Sequence, residues 1–167
     1  MNSMRHILGI FACFQLIYSH SQIVTIGEIE KTAILESHNT ERRALNILDL
    51  KWSDQLSKLS QQWALKLAKE DRDIYHSHDD QFGENISYFF SIPDKYGIEY
   101  GVQLWNEEKK FYTYGKKNKL SEVGHYTQVI WSTTTEVGCG CARGKSGAYF
   151  FVCKYNPSGN YIGVNPY

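Results

Sequence analysis

The stretch GHYTQVIWSTT, residues 124–134, sets a histidine, an amide and several hydroxyls beside Val129, Ile130 and Trp131. A histidine placed among polar and large apolar neighbours serves one of three ends. It does chemistry, it holds a metal ion, or it satisfies buried polar groups. Which end His125 serves depends on the side chains that the rest of the chain brings to it.

Upstream, the first 21 residues read as a signal peptide. Arg5 and His6 make a basic start, ILGIFACFQLIYS follows as an apolar run, and Ser19 and Ser21 supply small residues for cleavage. The run is too short to span a bilayer comfortably. The reading is therefore an exported chain with one domain over residues 22–167. Loss of Arg5 takes the Lys and Arg count from 18 to 17, against 18 Asp and Glu. A balance that even offers no general field for nucleic acid or an anionic membrane. The run Lys116, Lys117, Lys119 reads as a solvated loop.

Cys13 falls in the leader, which leaves Cys139, Cys141 and Cys153. In an oxidising compartment one disulfide is expected. EVGCGCAR and GAYFFVCKY read as two strands joined by a turn, and a hairpin with a three-residue loop sets Cys139 opposite Cys153. Cys141 stays open as the alternative partner, and the thiol left over is either buried or available between molecules.

Residues 28–45 lack Gly and Pro and read as a helix. A second helix follows Ser53 as N-cap, with Leu56, Leu59, Trp63 and Leu67 at helical spacing and Ala64 and Ala68 beside them. DIYHSHDDQFGENISYFF, residues 73–90, breaks that period and reads as loop or short irregular elements. Pro93 and Asp94 are expected to open a third helix, striped by Ile98, Val102, Trp105 and Tyr112, and the chain turns strand-like from Val129. Helices followed by strands predict an α+β fold, with helices packed on an antiparallel sheet.

On that third stripe, at about 100° per residue, Glu107 points away and Glu108 lies at the flank. A carboxylate at such an edge is half-buried and needs a partner. In FGENIS, Glu84 and Asn85 follow a permissive glycine, and their side chains are expected to tie the backbone locally. Asn85 also heads an N-glycosylation sequon, which goes unused if the side chain packs inside. His76 and His78 precede it beside acids. The chain carries no Gly-x-Ser-x-Gly elbow, His-Glu-x-x-His helix, phosphate loop or Cys-x-x-Cys pair.

Taken in order, HNTERR from His38, LKWSDQLSKLSQQWA, FGENIS, WNEE, GHYTQVIWSTT and FFVCKYNPSGNY resemble the CAP superfamily. That group holds the cysteine-rich secretory proteins, antigen 5 venom allergens and plant pathogenesis-related proteins of group 1. Lys154 departs from the second family signature, which prefers other polar residues there. The low cysteine count resembles the Golgi-associated single-domain branch, here with an added signal peptide.

The resemblance implies an α-β-α sandwich with a central antiparallel sheet and a cleft lined by His76, Glu84, Glu108 and His125. His78 is the alternative to His76. Zinc or another divalent cation is the implied cofactor. Thr127 and Gln128 are expected to satisfy the polar groups around the cleft. The resemblance further implies an extracellular, non-enzymatic binder of sterols or fatty acids, acting in defence, host interaction or reproduction through an extracellular protein partner. Tyr88, Phe89, Phe90 and Tyr96 are expected to cover the lipid. The alternative is a metal-assisted hydrolase in which one glutamate serves as general base.

Overall fold

A computed structural model describes residues 21–167. The expected leader up to His20 lies outside the described residues. The elements are β1 (Gln22–Val24), α1 (Glu28–Arg43), β2 (Lys51–Trp52), α2 (Asp54–Glu70), β3 (Gly83–Phe89), α3 (Tyr100–Asn106), α4 (Leu120–Val129), β4 (Glu136–Arg143) and β5 (Tyr149–Asn156). A 3-10 turn, Glu107–Phe111, continues α3. The sheet runs β1-β4-β5-β3, antiparallel throughout that path, with β2 added parallel to β4.

α1 and α2 follow the sequence signals closely. Ser53 caps α2 by accepting the Leu56 N–H, and Leu56, Ser60, Ala64, Leu67 and Ala68 form its buried stripe. That stripe packs one face of the sheet with Ile86, Ala142, Ala148, Phe150 and Val152. The approach is close because β4 turns Gly138 and Gly140 toward the helix. A Cβ at either would run into the α2 backbone, at Ser57 and Gln61 respectively. The cysteines of GCGC point to the other face. There Cys139, Cys141, Phe151, Cys153 and Tyr155 pack with residues such as Ile34, Val102, Trp105, Tyr126 and Ile130, which come from α1, α3 and α4 and the residue after it. Helices on both faces make an α-β-α sandwich, as expected.

Cys139 and Cys153 are register partners on β4 and β5 and are disulfide-bonded, with Cα atoms 4.1 Å apart. Cys141 is the free thiol and is buried.

Three expectations are corrected. The third helix starts at Tyr100, because residues after Pro93 form turns, with Tyr96 N–H bonded to Pro93 O and Gly97 N–H held by the Glu99 side chain. Residues 83–89 form a strand, not a loop. The period-2 signal was masked because its inward face carries polar Asn85 and Ser87. Finally, the strand expected from Val129 begins at Glu136, since 120–129 is helix despite four β-branched or aromatic residues. Packing of Val123, Tyr126 and Val129 into the core overrides their weak helix propensity.

Candidate functional site

β3 enters the sheet at Gly83, and successive side chains leave on opposite faces. Glu84 therefore turns to the α2 face and Asn85 to the face covered by α4. A Cβ at Gly83 would strike the Gln128 amide of α4 and force that side chain to shift.

On the Glu84 side, the loop after α2 folds back. His76 Nδ1 lies 2.9 Å from Glu84 Oε1, and the Ser77 N–H donates to the same oxygen at 2.8 Å. The other oxygen, Oε2, faces Lys154 Nζ at 3.2 Å. Burial alone would raise this carboxyl. The hydrogen bonds from His76 and Ser77, with the Lys154 charge, outweigh it and hold the pKa at about 2. His78 sits in the left-handed region with φ 57° and is not the partner of Glu84.

On the other side, Glu108 lies in the 3-10 turn after α3. Its Oε1 is 2.6 Å from His125 Nδ1, and its Oε2 accepts the backbone N–H groups of His125 and Tyr126 at 3.0 and 3.1 Å. Glu107 is exposed, so the helical stripe separated the two acids correctly. The His125 ring lies nearly parallel to Trp105, with centroids 6.1 Å apart.

Both imidazoles are thus held in the same manner. An ionised carboxylate only accepts, so Nδ1–H is the donor in each ring and Nε2 is the nitrogen left pointing away from the carboxylate. Side-chain exposure is 59 % for His76 and 38 % for His125, against 6 % for Glu84 and 20 % for Glu108. The acids are the buried supports and the rings are what solvent meets.

The two pairs are linked through the strand. Asn85, 2 % exposed, donates from Nδ2 to His125 O at 3.0 Å and to Tyr155 Oη at 3.2 Å. Its sequon is therefore closed in the folded chain. Tyr155 Oη also bonds His38 Nε2 at 2.9 Å, and His38 Nδ1 bonds Ile34 O. A buried polar line thus runs from α1 through β5 and β3 to the His125 turn. Thr127 and Gln128 do not reach the His–Glu pairs. They bind the C-terminal segment, with Thr127 Oγ1 on Asn160 Oδ1 at 2.6 Å and Gln128 Oε1 on the Gly159 N–H at 2.9 Å.

The cleft beside His76 has a volume of about 380 Å³, with Asp79, Phe82, Gln128 and Asn160 in its wall. Among the described residues no three of His, Cys, Asp and Glu stand together as a metal-binding set. The alternation of β3 explains this, because Glu84 and the Asn85 link to His125 leave opposite faces. As a fit for a divalent ion, this cleft offers the one imidazole of His76, with Glu84 behind it as its orienting group, since His125 is not in the cleft wall.

The four aromatics expected to cover a lipid are divided. Phe89 is buried and stacks on Tyr149 at 5.4 Å, and Tyr96 stacks on Tyr100 at 5.5 Å. Tyr88 and Phe90 are exposed on the opposite face, edge to face with each other at 5.4 Å. They form no single lid. A larger apolar groove, about 570 Å³, lies elsewhere, between α4 and the C-terminal segment, with Leu120, Val123, Trp131, Ile162 and Val164 in its walls. Sequence reasoning missed this groove, whose walls are far apart in the chain. It also missed the contacts of Lys154, which only strand register reveals.

Comparison with known proteins agrees with this architecture. The profile of the CAP, or cysteine-rich secretory protein, family matches residues 35–155. The sequence is 34 % identical over 154 residues to pathogenesis-related protein 1C of Nicotiana tabacum, covering 91 % of this chain and 88 % of that protein. It is 34 % identical over 163 residues to venom allergen 5 of Vespa magnifica, covering 84 % and 72 %. Among solved structures, the crystal structure of NaASP2 with Zn2+ superposes with a TM-score of 0.67 at 24 % identity, over 84 % of this chain and 86 % of that one.

Proposed function

The chain belongs to the CAP family of cysteine-rich secretory proteins, and from that membership we propose that it is an exported binding domain rather than a hydrolase. The observation that carries this reading is the engagement of both carboxylates. Glu108 takes three hydrogen bonds, and Glu84 takes two and an ion pair. A general base needs a carboxylate oxygen open to water, whereas both Glu108 oxygens are bonded and Glu84 Oε2, which accepts no hydrogen bond, is buried against the Lys154 ammonium. What the cleft presents is the His76 imidazole, oriented by Glu84, while His125 is oriented by Glu108 and is not part of that cleft's wall. A single imidazole supports no more than weak binding of a divalent cation such as zinc, the ion named with NaASP2. When bound, such an ion would supply a positive charge and open coordination positions.

The lipid part of the reading rests on the groove beside α4. Its volume of about 570 Å³ suits one apolar tail, and Leu120 and Ile162 remain 48 % and 94 % exposed at its walls. The family of pathogenesis-related and venom allergen proteins supports a role in defence or host interaction, with an extracellular protein as partner.

The test has two arms. Protein purified from an exporting host without chelators is extracted for lipid and titrated with a fluorescent sterol and a fluorescent fatty acid. Leu120→Asp is expected to abolish uptake while leaving the fold intact, and unaltered uptake would remove the groove from the proposal. In the second arm, cleavage of peptide and ester substrates is measured before and after Glu108→Gln. Cleavage by the pure chain that is lost in this variant would restore the hydrolase.

A further inference from the structure

The lysines after α3 read in the sequence as a solvated loop, and the proposed function has no use for them. KKFYTYGKKNKL, residues 109–120, holds five lysines and no acid. Some of that charge is matched in the fold, where Lys109 pairs with Glu41 at 2.8 Å and Lys119 with Glu122 at 3.1 Å. Lys116 and Lys117 are exposed, and among the described residues neither side chain has an ion pair or a hydrogen bond. Both line the groove between α4 and the C-terminal segment, whose walls hold no Asp or Glu among the described residues. The chain as a whole is balanced at a net charge of zero, yet this rim is positive. Unpaired ammonium groups act on a charged surface over about one Debye length, roughly 8–10 Å in ordinary salt.

The rest of the rim is apolar. Tyr161, Ile162 and Val164 are exposed there, Ile162 by 94 %, and Leu120 is exposed beside them. Single exposed apolar residues need no explanation, whereas several about one groove make a patch. The turn that carries them is firmly held. The Val164 N–H donates to Tyr161 O at 3.1 Å, and Gly163, with φ 80°, takes the left-handed position after Ile162. Before the turn, Asn160 Nδ2 donates to Gly124 O at 2.8 Å, and after it the Ser132 N–H donates to Pro166 O at 2.7 Å. Ile162 is therefore fixed in water at the tip of an anchored turn. On the lysine side Tyr114 is exposed as well, stacked on Tyr167 with centroids 4.9 Å apart. Apolar tips and tyrosine rings beside unpaired lysines match the layers of an anionic bilayer, in which acyl chains lie beneath charged headgroups. We propose that this face is a docking surface for a bilayer bearing anionic headgroups, with Ile162 and Val164 entering the acyl boundary and Lys116 and Lys117 meeting the headgroups. The proposal shares the groove with the function proposed above and stands without it, since adsorption to a surface and uptake of a free ligand are separate measurements.

The experiment is co-sedimentation of the protein from an exporting host with vesicles, of phosphatidylcholine alone and of phosphatidylcholine mixed with phosphatidylserine, at low and high salt. Adsorption is expected on the anionic vesicles only and should fall with salt. The pair Lys116→Gln, Lys117→Gln is expected to weaken it roughly thirtyfold, a factor of about five for each lysine at an anionic surface. The control pair Lys58→Gln, Lys69→Gln removes the same charge from α2, across the sheet from α4, and should adsorb as the unaltered chain does. Ile162→Trp gives the apolar contact its own readout. Its emission is expected to shift to the blue on anionic vesicles, relative to the unaltered chain, and to be quenched by brominated acyl chains. All five substituted side chains are exposed, so none should disturb the fold. No adsorption, equal adsorption on both vesicles, or equal loss in both lysine pairs overturns the proposal. Emission of Ile162→Trp untouched by brominated chains overturns it too. The expected adsorption in a chain that takes up no free sterol or fatty acid upholds it and removes only the groove reading.

Discussion

At the scale of single residues, Glu84 and His38 make the chain acid-sensitive in two separate windows. Burial works to raise the Glu84 carboxyl, but its donors and Lys154 hold it at about 2, below the ordinary 4.5. A folded pKa below the unfolded one gives stability that is complete above 4.5 and lost as pH falls toward 2. The shift corresponds to a contribution on the order of 3 kcal/mol at neutral pH. Glu84→Gln should remove that acid slope and lower the urea midpoint at pH 7. A slope between pH 5 and 2 identical to the unaltered chain would refute the assignment. Burial lowers His38 from 6.5 to about 4, with its bond to Ile34 O opposing. The same sign applies, so this part of the stability is present above pH 6.5 and fades as pH falls through 4. His38→Gln is expected to flatten stability across that upper window only, as read by thermal melting in a pH series.

At the scale of elements, Arg42 of α1 decides where α4 sits. It is fully buried and donates to Leu48 O, Val129 O, Trp131 O and Thr134 O, at 2.7 to 3.0 Å. Burial lowers its pKa only to about 10, so it remains charged. A cation against the last carbonyls of a helix also suits the helix dipole. Lysine has no planar fork to serve four carbonyls. Arg42→Lys should therefore cost about 3 kcal/mol or more, since hydrogen bonds to charged groups contribute roughly 1.5–3 kcal/mol each. The His125 ring resonances should move with it, and an unchanged melting curve would contradict the anchor role. The contact of α2 with β4 has a different weak point. Gly140→Val places a branched side chain against the backbone at Gln61, and the variant should fail to give a cooperative melt.

At the scale of the molecule, one disulfide between central strands ties the fold among the described residues, and one described thiol, Cys141, is left inside. The Cys139–Cys153 link closes a separation of 14 residues. In the chain-entropy account such a loop stabilises by about 3 kcal/mol. The paired substitution Cys139→Ala, Cys153→Ala should lower stability by roughly that amount, read from denaturant unfolding. Burial pushes the Cys141 thiol up to about 12, which removes the thiolate that reacts. A thiol reagent should therefore find no reactive cysteine in the native domain of residues 22–167 and one in denaturant. Dimers bridged by Cys141 under native conditions would contradict this.

Local pattern alone determined much of this protein. The stripe from Leu56 to Ala68, the Ser53 cap and the choice of Glu108 over Glu107 follow from periodicity, which depends on near neighbours, and hairpin geometry favoured Cys139 over Cys141 as the partner of Cys153, a choice that the strand register settles. Motifs brought His76, Glu84 and His125 into view. Only tertiary structure decided the rest. β3 carries buried Asn85 and Ser87, so its strand character depends on partners from distant elements, the His125 carbonyl and the Gly101 carbonyl. α4 is a helix because its apolar residues are buried and Arg42 holds its end, against its own propensity. Lys154 looks like any surface lysine in the sequence. Register across two strands separated by some seventy residues puts it against Glu84, and a charge is only as costly or as useful as the groups that end up beside it.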